Sequence, residues 1–187
     1  VSGSGGPGAL KPWRRLGAER IQNCRVFDLD RIRFAPPDGS DPRTFYVIEA
    51  PDWIHVVPLT PDRQVIFVRQ FRFGTNDISL EIPGGMCDAG ELPRVAATRE
   101  LREETGYETR ELVDLGWVHP NPAIQSNRCH TFLAKNVVRA GDPTPDADEA
   151  FELITIPLDE VPRLIREGAI THSLVIAAFY RLGLTLS

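Results

Sequence analysis

The sequence predicts a mixed β-sheet with helices packed on it, an α/β or α+β sandwich. Three observations predict it. Strand-like runs dominate the first half of the chain, a single helical pattern interrupts them at Leu92–Thr105, and two further helical stretches close the chain. The chain has 187 residues, of which 42% are hydrophobic and 25% charged. These are the proportions of a globular protein. A chain of this length buries roughly 70% of the surface its unfolded form exposes, so a core needs no disulfide or structural metal.

The elements follow in order. Ile21 to Phe34 mixes apolar and basic residues in near alternation, and the turn-rich Pro36 to Pro42 separates it from the run Thr44 to Ala50, which reads as a hairpin. Trp53 to Pro58 and Gln64 to Phe71 are β-branched and aromatic-rich, and the turn residues of Leu59 to Arg63 divide them. Ile78 to Ile82 adds a short strand that ends in Pro83-Gly84-Gly85. After the helix, Leu112 to His119, Arg128 to Val138 and Glu152 to Ile156 return to strand character. Val161 to Glu167 and His172 to Leu182 are helical, and the polar, Pro-rich Gly141 to Asp148 is a mobile loop. There is no internal repeat.

Composition excludes several functions. The longest apolar run, Leu174 to Phe179, is far short of the ~20 residues a membrane span requires. Cys24, Cys87 and Cys129 stand apart, an odd count that suits neither a disulfide framework nor a zinc site and points to a reducing, cytoplasmic setting. A net charge of −5 argues against nucleic-acid or anionic-membrane binding through bulk charge, while leaving room for a small anionic substrate. Val1 to Gly8 is Gly/Ser-rich and reads as a flexible leader or an expression scar rather than a signal peptide.

The chemistry concentrates in Gly85 to Tyr107. Pro93 suits the first turn of a helix and Gly106 the left-handed position just past its end. At 100° per residue, Ala97, Thr98, Leu101 and Thr105 share the sector that faces the core, and Glu100, Glu103 and Glu104 share the next sector with Ala96. Three carboxylates at these spacings repel by a few tenths of a kcal/mol per pair. Glu103 and Glu104 also occupy the last turn, where the helix macrodipole disfavours anions by about 0.3–1 kcal/mol each. Local stability rules are broken several times in one turn, and a hard divalent cation bound through oxygen compensates. Mg²⁺ is the natural candidate. Arg99 is four residues before Glu103 and eight after Glu91, so it can pair with either and orient a carboxylate.

The spacing reproduces GX5EX7REUXEEXGU: Gly85, Glu91, Arg99, Glu100, Leu101, Glu103, Glu104, Gly106 and Tyr107 fill every specified position. Seven fixed polar or glycine positions match by chance on the order of once in 10⁸ windows. On this motif the chain resembles the Nudix hydrolases. The resemblance implies an αβα sandwich with a mixed central sheet and an N-terminal β extension, and divalent-metal hydrolysis of nucleoside diphosphates linked to another moiety. It divides the chain into a leader at 1–20, a β extension at 21–58 and the hydrolase domain at 59–187.

By the same resemblance, Glu100 and Glu104 are the principal ligands of Mg²⁺, for which Mn²⁺ can substitute. Glu103 is shared between metals or between metal and water, Gly84 contributes its carbonyl, and Glu91 acts through Arg99. The implied mechanism is attack of a metal-activated water on a diphosphate phosphorus. Phosphoryl chemistry also asks for positive charge. Arg69 and Arg72, with no acid between Arg63 and Arg72, are candidate phosphate clamps.

The N-terminal region of about fifty residues, the segment Glu81 to Gly85 and the Asn121-Pro122-Ala123 triplet resemble the ADP-ribose pyrophosphatase and nucleoside-diphosphate-sugar hydrolase branch. That branch implies a nucleotide-sugar substrate, with Glu81 at the substrate site, and a homodimer that exchanges N-terminal strands. Trp53, Phe45 and Tyr46 become candidates to stack on the base. It also implies a catalytic base in the acidic loop before the last strand, open among Glu149, Asp148 and Asp146, with Ala147 where a second acid usually stands. A dinucleoside polyphosphate, a damaged nucleotide, or a ligand-sensing role without catalysis are the alternatives.

Four histidines, His55, His119, His130 and His172, show no ligand spacing, and His55 and His130 read as hydrogen-bonded strand residues. Cys129 and His130 are adjacent in a strand and point to opposite faces, which excludes a nucleophilic pair.

Overall fold

The computed structural model describes residues 10–144 and 150–186. Two compact units form, residues 1–50 with 121–126, and residues 51–120 with 127–187.

The first unit is a three-stranded antiparallel sheet of β1 (Arg14–Asn23), β2 (Asp28–Ala35) and β3 (Arg43–Glu49), in that order. The hairpin expected between β2 and β3 is present, with Ile32 opposite Phe45 and Arg31 opposite Tyr46. Its turn is fixed by Asp38, whose carboxylate accepts the N–H and the hydroxyl of Ser40. Residues 14–20, expected within the leader at 1–20, are instead paired in β1. Alternation there is weak because all ten residues of β1 are exposed, so no buried face imposes a period on the sequence.

In the second unit β4 (Trp53–Leu59), β5 (Gln64–Arg72), β6 (Asp77–Glu81) and β7 (Gly84–Met86) precede α1 (Pro93–Thr105). Then come β8 (Tyr107–Glu108), β9 (Glu111–Val118), β10 (Cys129–Lys135), β11 (Val138–Arg139), β12 (Glu152–Pro157), α2 (Val161–Arg166) and α3 (Ser173–Leu186). The main sheet runs β12-β5-β4-β10-β9, with β6 on β5 and β7 on β4. Only β4 and β10 pair in parallel within it, so the sheet is mixed as expected.

Strand alternation sorts the apolar residues into two cores. Val57, Val65, Phe67 and Leu133 pack with Val161, Val175, Ala178 and Leu182, on the side of α2 and α3. Ile54, Val56, Ile66 and Phe132 pack with Ala96, Ala97 and Leu101 of α1 on the other. Helices therefore cover both faces, and each fully buried Leu or Val contributes about 1.5–3 kcal/mol. β4 is central to this sheet, which moves Trp53–Leu59 out of the extension expected at 21–58. Thr98 is exposed rather than in the core face, and its hydroxyl bonds back to the Arg94 carbonyl.

Helix α1 begins at Pro93 and stops at Gly106, which adopts φ +72° and donates its N–H to the Arg102 carbonyl. A Cβ there would stand 2.3 Å from the Gly141 carbonyl oxygen. Gly106→Ala is expected to lower stability by at least about 1–2 kcal/mol from the left-handed backbone alone, read as a lower urea midpoint at unchanged slope.

Candidate active site

The segment joining β6 to α1 runs against β4. Gly84 pairs with His55, Gly85 with Ile54 and Met86 with Trp53, and the Val56 N–H donates to the Pro83 carbonyl. Close approach explains both glycines. A Cβ on Gly84 would lie 2.4 Å from the Ile54 carbonyl oxygen, and one on Gly85 would lie 2.2 Å from Oε1 of Glu100. Backbone thus leaves at Gly85 the space that the Glu100 carboxylate occupies.

Helix α1 brings the other carboxylates to the same place. Glu104 is buried, and its Oε2 accepts the Gly84 N–H at 3.0 Å. Its place on the helix therefore differs from that of an exposed end charge. The bare backbone at Gly85 lets α1 sit close to β7, since a Cβ there would collide with the Glu100 carboxylate. Glu103 is the most open of the three, with its side chain 44% exposed.

Arg99 ties the group together. Its Nε and Nη2 donate to the two oxygens of Glu91 at 3.1 and 2.9 Å, and Nη1 donates to Glu100 at 2.8 Å and Glu103 at 3.1 Å. Nη2 also reaches the Met86 carbonyl. These partners, Glu91 foremost, push the Arg99 pKa up. Glu91 in turn is held below the usual carboxylate range, chiefly by Arg99 and then by the Asp88 N–H. One guanidinium among four carboxylates leaves a local excess of anionic oxygen. Hard oxygen donors, a glycine cradle and a fixed Arg99 fork fit a hard divalent cation, with Glu100, Glu103, Glu104 and the Gly84 carbonyl as the groups that would hold it.

The other expected site residues are spread more widely. Arg72 makes a two-toothed contact with Glu81, at 2.9 Å to Oε1 and 2.7 Å to Oε2. Arg69 pairs with Glu152 at 2.8 Å. The two arginines are three apart on β5, so they lie on opposite faces and do not form one clamp. Glu81 has no exposed surface, which removes the direct substrate contact expected of it. Desolvation works against its ionisation, yet Arg72 holds its pKa below the usual range. Phe45 meets Trp13 and Phe34 edge-on, whereas Tyr46 takes the opposite face of the first unit's sheet, in an open groove with Gly17, Arg31 and Thr44. Trp53 belongs to β4 of the second unit. Glu149, Asp148, Asp146 and Ala147 lie outside the described residues.

Other polar contacts have no sequence signal. Asp52 accepts the Arg128 N–H and stands 3.2 Å from Nε2 of His130, which makes His130 a bonded strand residue as expected. Burial pushes the Cys129 thiol up to about 12, consistent with an inert core residue. His55, Glu81 and His172 come together although they are far apart in the chain. Burial, followed by the neighbouring His172, pushes the His55 pKa down to about 4.

The NUDIX domain model matches residues 51–179. The chain belongs to the Nudix family. This Nudix protein is 30% identical to a methanol dehydrogenase activator of Bacillus methanolicus over 95% of its own length and 96% of the relative's. It is 35% identical to an ADP-sugar pyrophosphatase of Mus musculus, covering 90% of this chain and 84% of that one. A solved structure described as an ADP compounds hydrolase superposes with a TM-score of 0.84 at 22% identity, over 96% of this chain and 97% of the other. The Nudix fold expected from the motif is therefore the fold adopted, and the chain is a pyrophosphohydrolase. Among the described residues no helix is long and apolar enough to cross a membrane.

Gly85 gives a test of the cradle. In Gly85→Ala the new methyl group meets the flexible end of Glu100, so the fold tolerates it while the carboxylate is displaced. Expected is a loss of about 10²-fold in kcat/KM, the scale of an ångström of misplacement, with the melting temperature little changed in calorimetry.

Proposed function

We propose that this Nudix hydrolase cleaves the diphosphate linkage of a nucleoside diphosphate sugar, an ADP-sugar such as ADP-ribose first and GDP-mannose next, to a nucleoside monophosphate and a sugar phosphate. The observation that carries the reading is the convergence of Glu100, Glu103 and Glu104 on Gly84 and Gly85 under the grip of Arg99. The murine relative, an ADP-sugar pyrophosphatase, supports the substrate class.

Glu100, Glu103, Glu104 and the Gly84 carbonyl would hold Mg²⁺, or Mn²⁺ in its place. When bound, that ion supplies charge neutralisation on the diphosphate oxygens and a lowered pKa for attacking water. The side chains do the positioning. Arg99 fixes the directions of Glu91, Glu100 and Glu103. Glu81 acts through Arg72, holding the guanidinium fork so that its outer edge meets a phosphate. Arg69 is half-exposed and can add charge from the other face. For base stacking we assign one aromatic group among alternatives, Tyr46 in the open groove of the first unit or Trp53 at the start of β4. Phe45 stands behind them because it already packs edge-on against Trp13 and Phe34.

The catalytic base belongs to the acidic loop, with Glu149 first and Asp148 and Asp146 behind it. Support comes from where that loop begins, because the Thr144 N–H donates to the Glu103 carbonyl at 2.8 Å. A homodimer is part of the same proposal. All ten residues of β1 are exposed, among them Leu16 and Ile21, which leaves an edge strand available for pairing with a second copy. Three free cysteines suit a reducing, cytoplasmic compartment.

The test is a panel of ADP-ribose, GDP-mannose, UDP-glucose and Ap4A incubated with the protein and Mg²⁺, products being identified by chromatography. The expected result is AMP and ribose 5-phosphate from ADP-ribose, at the highest turnover. Preference for Ap4A would replace the substrate class, and no turnover on any diphosphate would remove the catalytic reading. Sedimentation velocity decides the dimer.

A further inference from the structure

We infer that His55, Glu81 and His172 form a second metal site, one that takes a borderline divalent transition ion of the Zn²⁺ or Co²⁺ type rather than Mg²⁺. A ring nitrogen from each histidine and a carboxylate oxygen of Glu81 lie within 4.8 Å of one another. The residues come from three elements: His55 from β4, Glu81 from the end of β6, and His172 from the residue before α3.

Each of the two rings also carries a nitrogen without a side-chain partner. Nδ1 of His55 and Nδ1 of His172 are both buried and have no hydrogen-bond partner. His55 itself is only 6% exposed. Buried polar atoms are nearly always paired, so an unpartnered nitrogen on each of two neighbouring rings is unusual; His172 faces Glu81 through its other nitrogen, Nε2. The imidazole rings meet edge to face, at 69° and 5.5 Å between centroids. His172 Nε2 lies 3.8 Å from Glu81 Oε2, too long for a hydrogen bond but within reach of a shared ion.

Glu81 is prepared for coordination. Arg72 accounts for one lone pair on each oxygen and fixes the carboxylate plane, the part that an outer partner plays for a metal-bound carboxylate. The nearby guanidinium also raises the demand on the ion, which must bind imidazole well to overcome it. Two nitrogens and one oxygen are a ligand set of that kind, and they leave a fourth tetrahedral position for solvent. Carboxylates alone would favour Mg²⁺. His172 is half-buried and supplies the access route.

This site differs from the glutamate cluster in position as well as chemistry. Along β4, Ile54 and Val56 belong to the core under α1, while Val57 belongs to the core under α3. Strand alternation therefore sends His55 to the α3 side, away from Glu100. An ion there would clamp the start of α3 to β4 and β6.

The test uses the full chain, stripped with chelator and then titrated with Co²⁺ in excess Mg²⁺ that saturates the carboxylate cluster. Expected is one equivalent of Co²⁺ with visible ligand-field absorption, displaced by Zn²⁺, and a further rise in melting temperature above the plateau that saturating Mg²⁺ has already reached. His55→Gln and His172→Gln should each weaken Co²⁺ binding beyond the roughly 10–100-fold typical of residues that only orient a ligand, and Glu100→Gln should leave it unchanged. Should His55→Gln fail to fold, the more exposed His172→Gln carries the comparison. Co²⁺ binding that persists in folded His172→Gln, or that disappears in Glu100→Gln, overturns the site. Either result leaves the nucleotide-sugar reading to the substrate panel.

Discussion

Glu104→Gln is expected to lower kcat/KM by about 10³-fold, a loss of about 4 kcal/mol of transition-state stabilisation, while leaving the protein folded. Glutamine matches the shape of glutamate and keeps an oxygen for the Gly84 N–H, so the contact that seats α1 on β7 survives in weaker form. What disappears is a negative charge at the centre of the oxygen cluster. Because that charge is buried among other carboxylates at the negative end of a helix, its removal in the absence of metal offsets the weaker hydrogen bond. Stability without Mg²⁺ should stay within about 1 kcal/mol of the parent. Added Mg²⁺ separates the two proteins, since a ligand that binds only the native state raises stability with its concentration. Calorimetry across a Mg²⁺ series should show the melting temperature rising for the parent and staying flat for the variant. A large loss of stability in metal-free buffer would contradict the assignment of Glu104 to the metal.

Arg99→Met should lose both activity and stability. The side chain makes two hydrogen bonds to Glu91 and one each to Glu100, Glu103 and the Met86 carbonyl. Removing it strands carboxylates on Glu91 and Glu100 that are mostly buried. With allowance for the partial exposure of Arg99, the cost is about 2–3 kcal/mol, or a fall of roughly 5–10 °C in melting temperature for a chain of this size. The sign of the pH dependence follows from Glu91. Its folded pKa lies below its unfolded value, chiefly through Arg99. The pair's contribution is therefore complete above the unfolded pKa of about 4.3 and is lost as pH falls through the lower folded value. The gap in stability between the parent and the Arg99→Met variant should be widest near neutrality and close in acid. A constant gap down to strongly acidic pH would show that packing, not pairing, is what Arg99 supplies. Activity should fall about 10²-fold because Glu100 and Glu103 lose their directions. Lysine should rescue little, as a point charge cannot span Glu91 in two-toothed fashion.

The helix that carries the glutamates is legible in the sequence because its signals are local. Pro93 and Gly106 mark its ends through backbone constraints acting on one residue each. Helical periodicity puts Thr98 on the wrong face because it supplies angles but not the width of the contact with the sheet. Strand positions are harder. The run Trp53–Pro58 resembles its neighbours in composition, and only parallel pairing with β10 makes it central.

Distant contacts explain the remaining differences. Arg69 and Arg72 read as a pair in the sequence, and strand alternation separates them onto Glu152 and Glu81. Nothing local distinguishes Glu81 from an exposed strand glutamate, since its burial depends on layers assembled from elsewhere. His55 and His172 are invisible as partners for the same reason. Their proximity is created by packing α3 against β4.

By itself the sequence determined the helix, its boundaries, the carboxylate spacing and the mixed α/β class, because each depends on periodicity or on the backbone limits of single residues. Tertiary structure alone decided which carboxylates are buried, that Arg72 is held by Glu81, and that two histidines meet beside it. The physical reason is that burial and long-range pairing are properties of assembled layers, and a sequence window holds only one layer at a time.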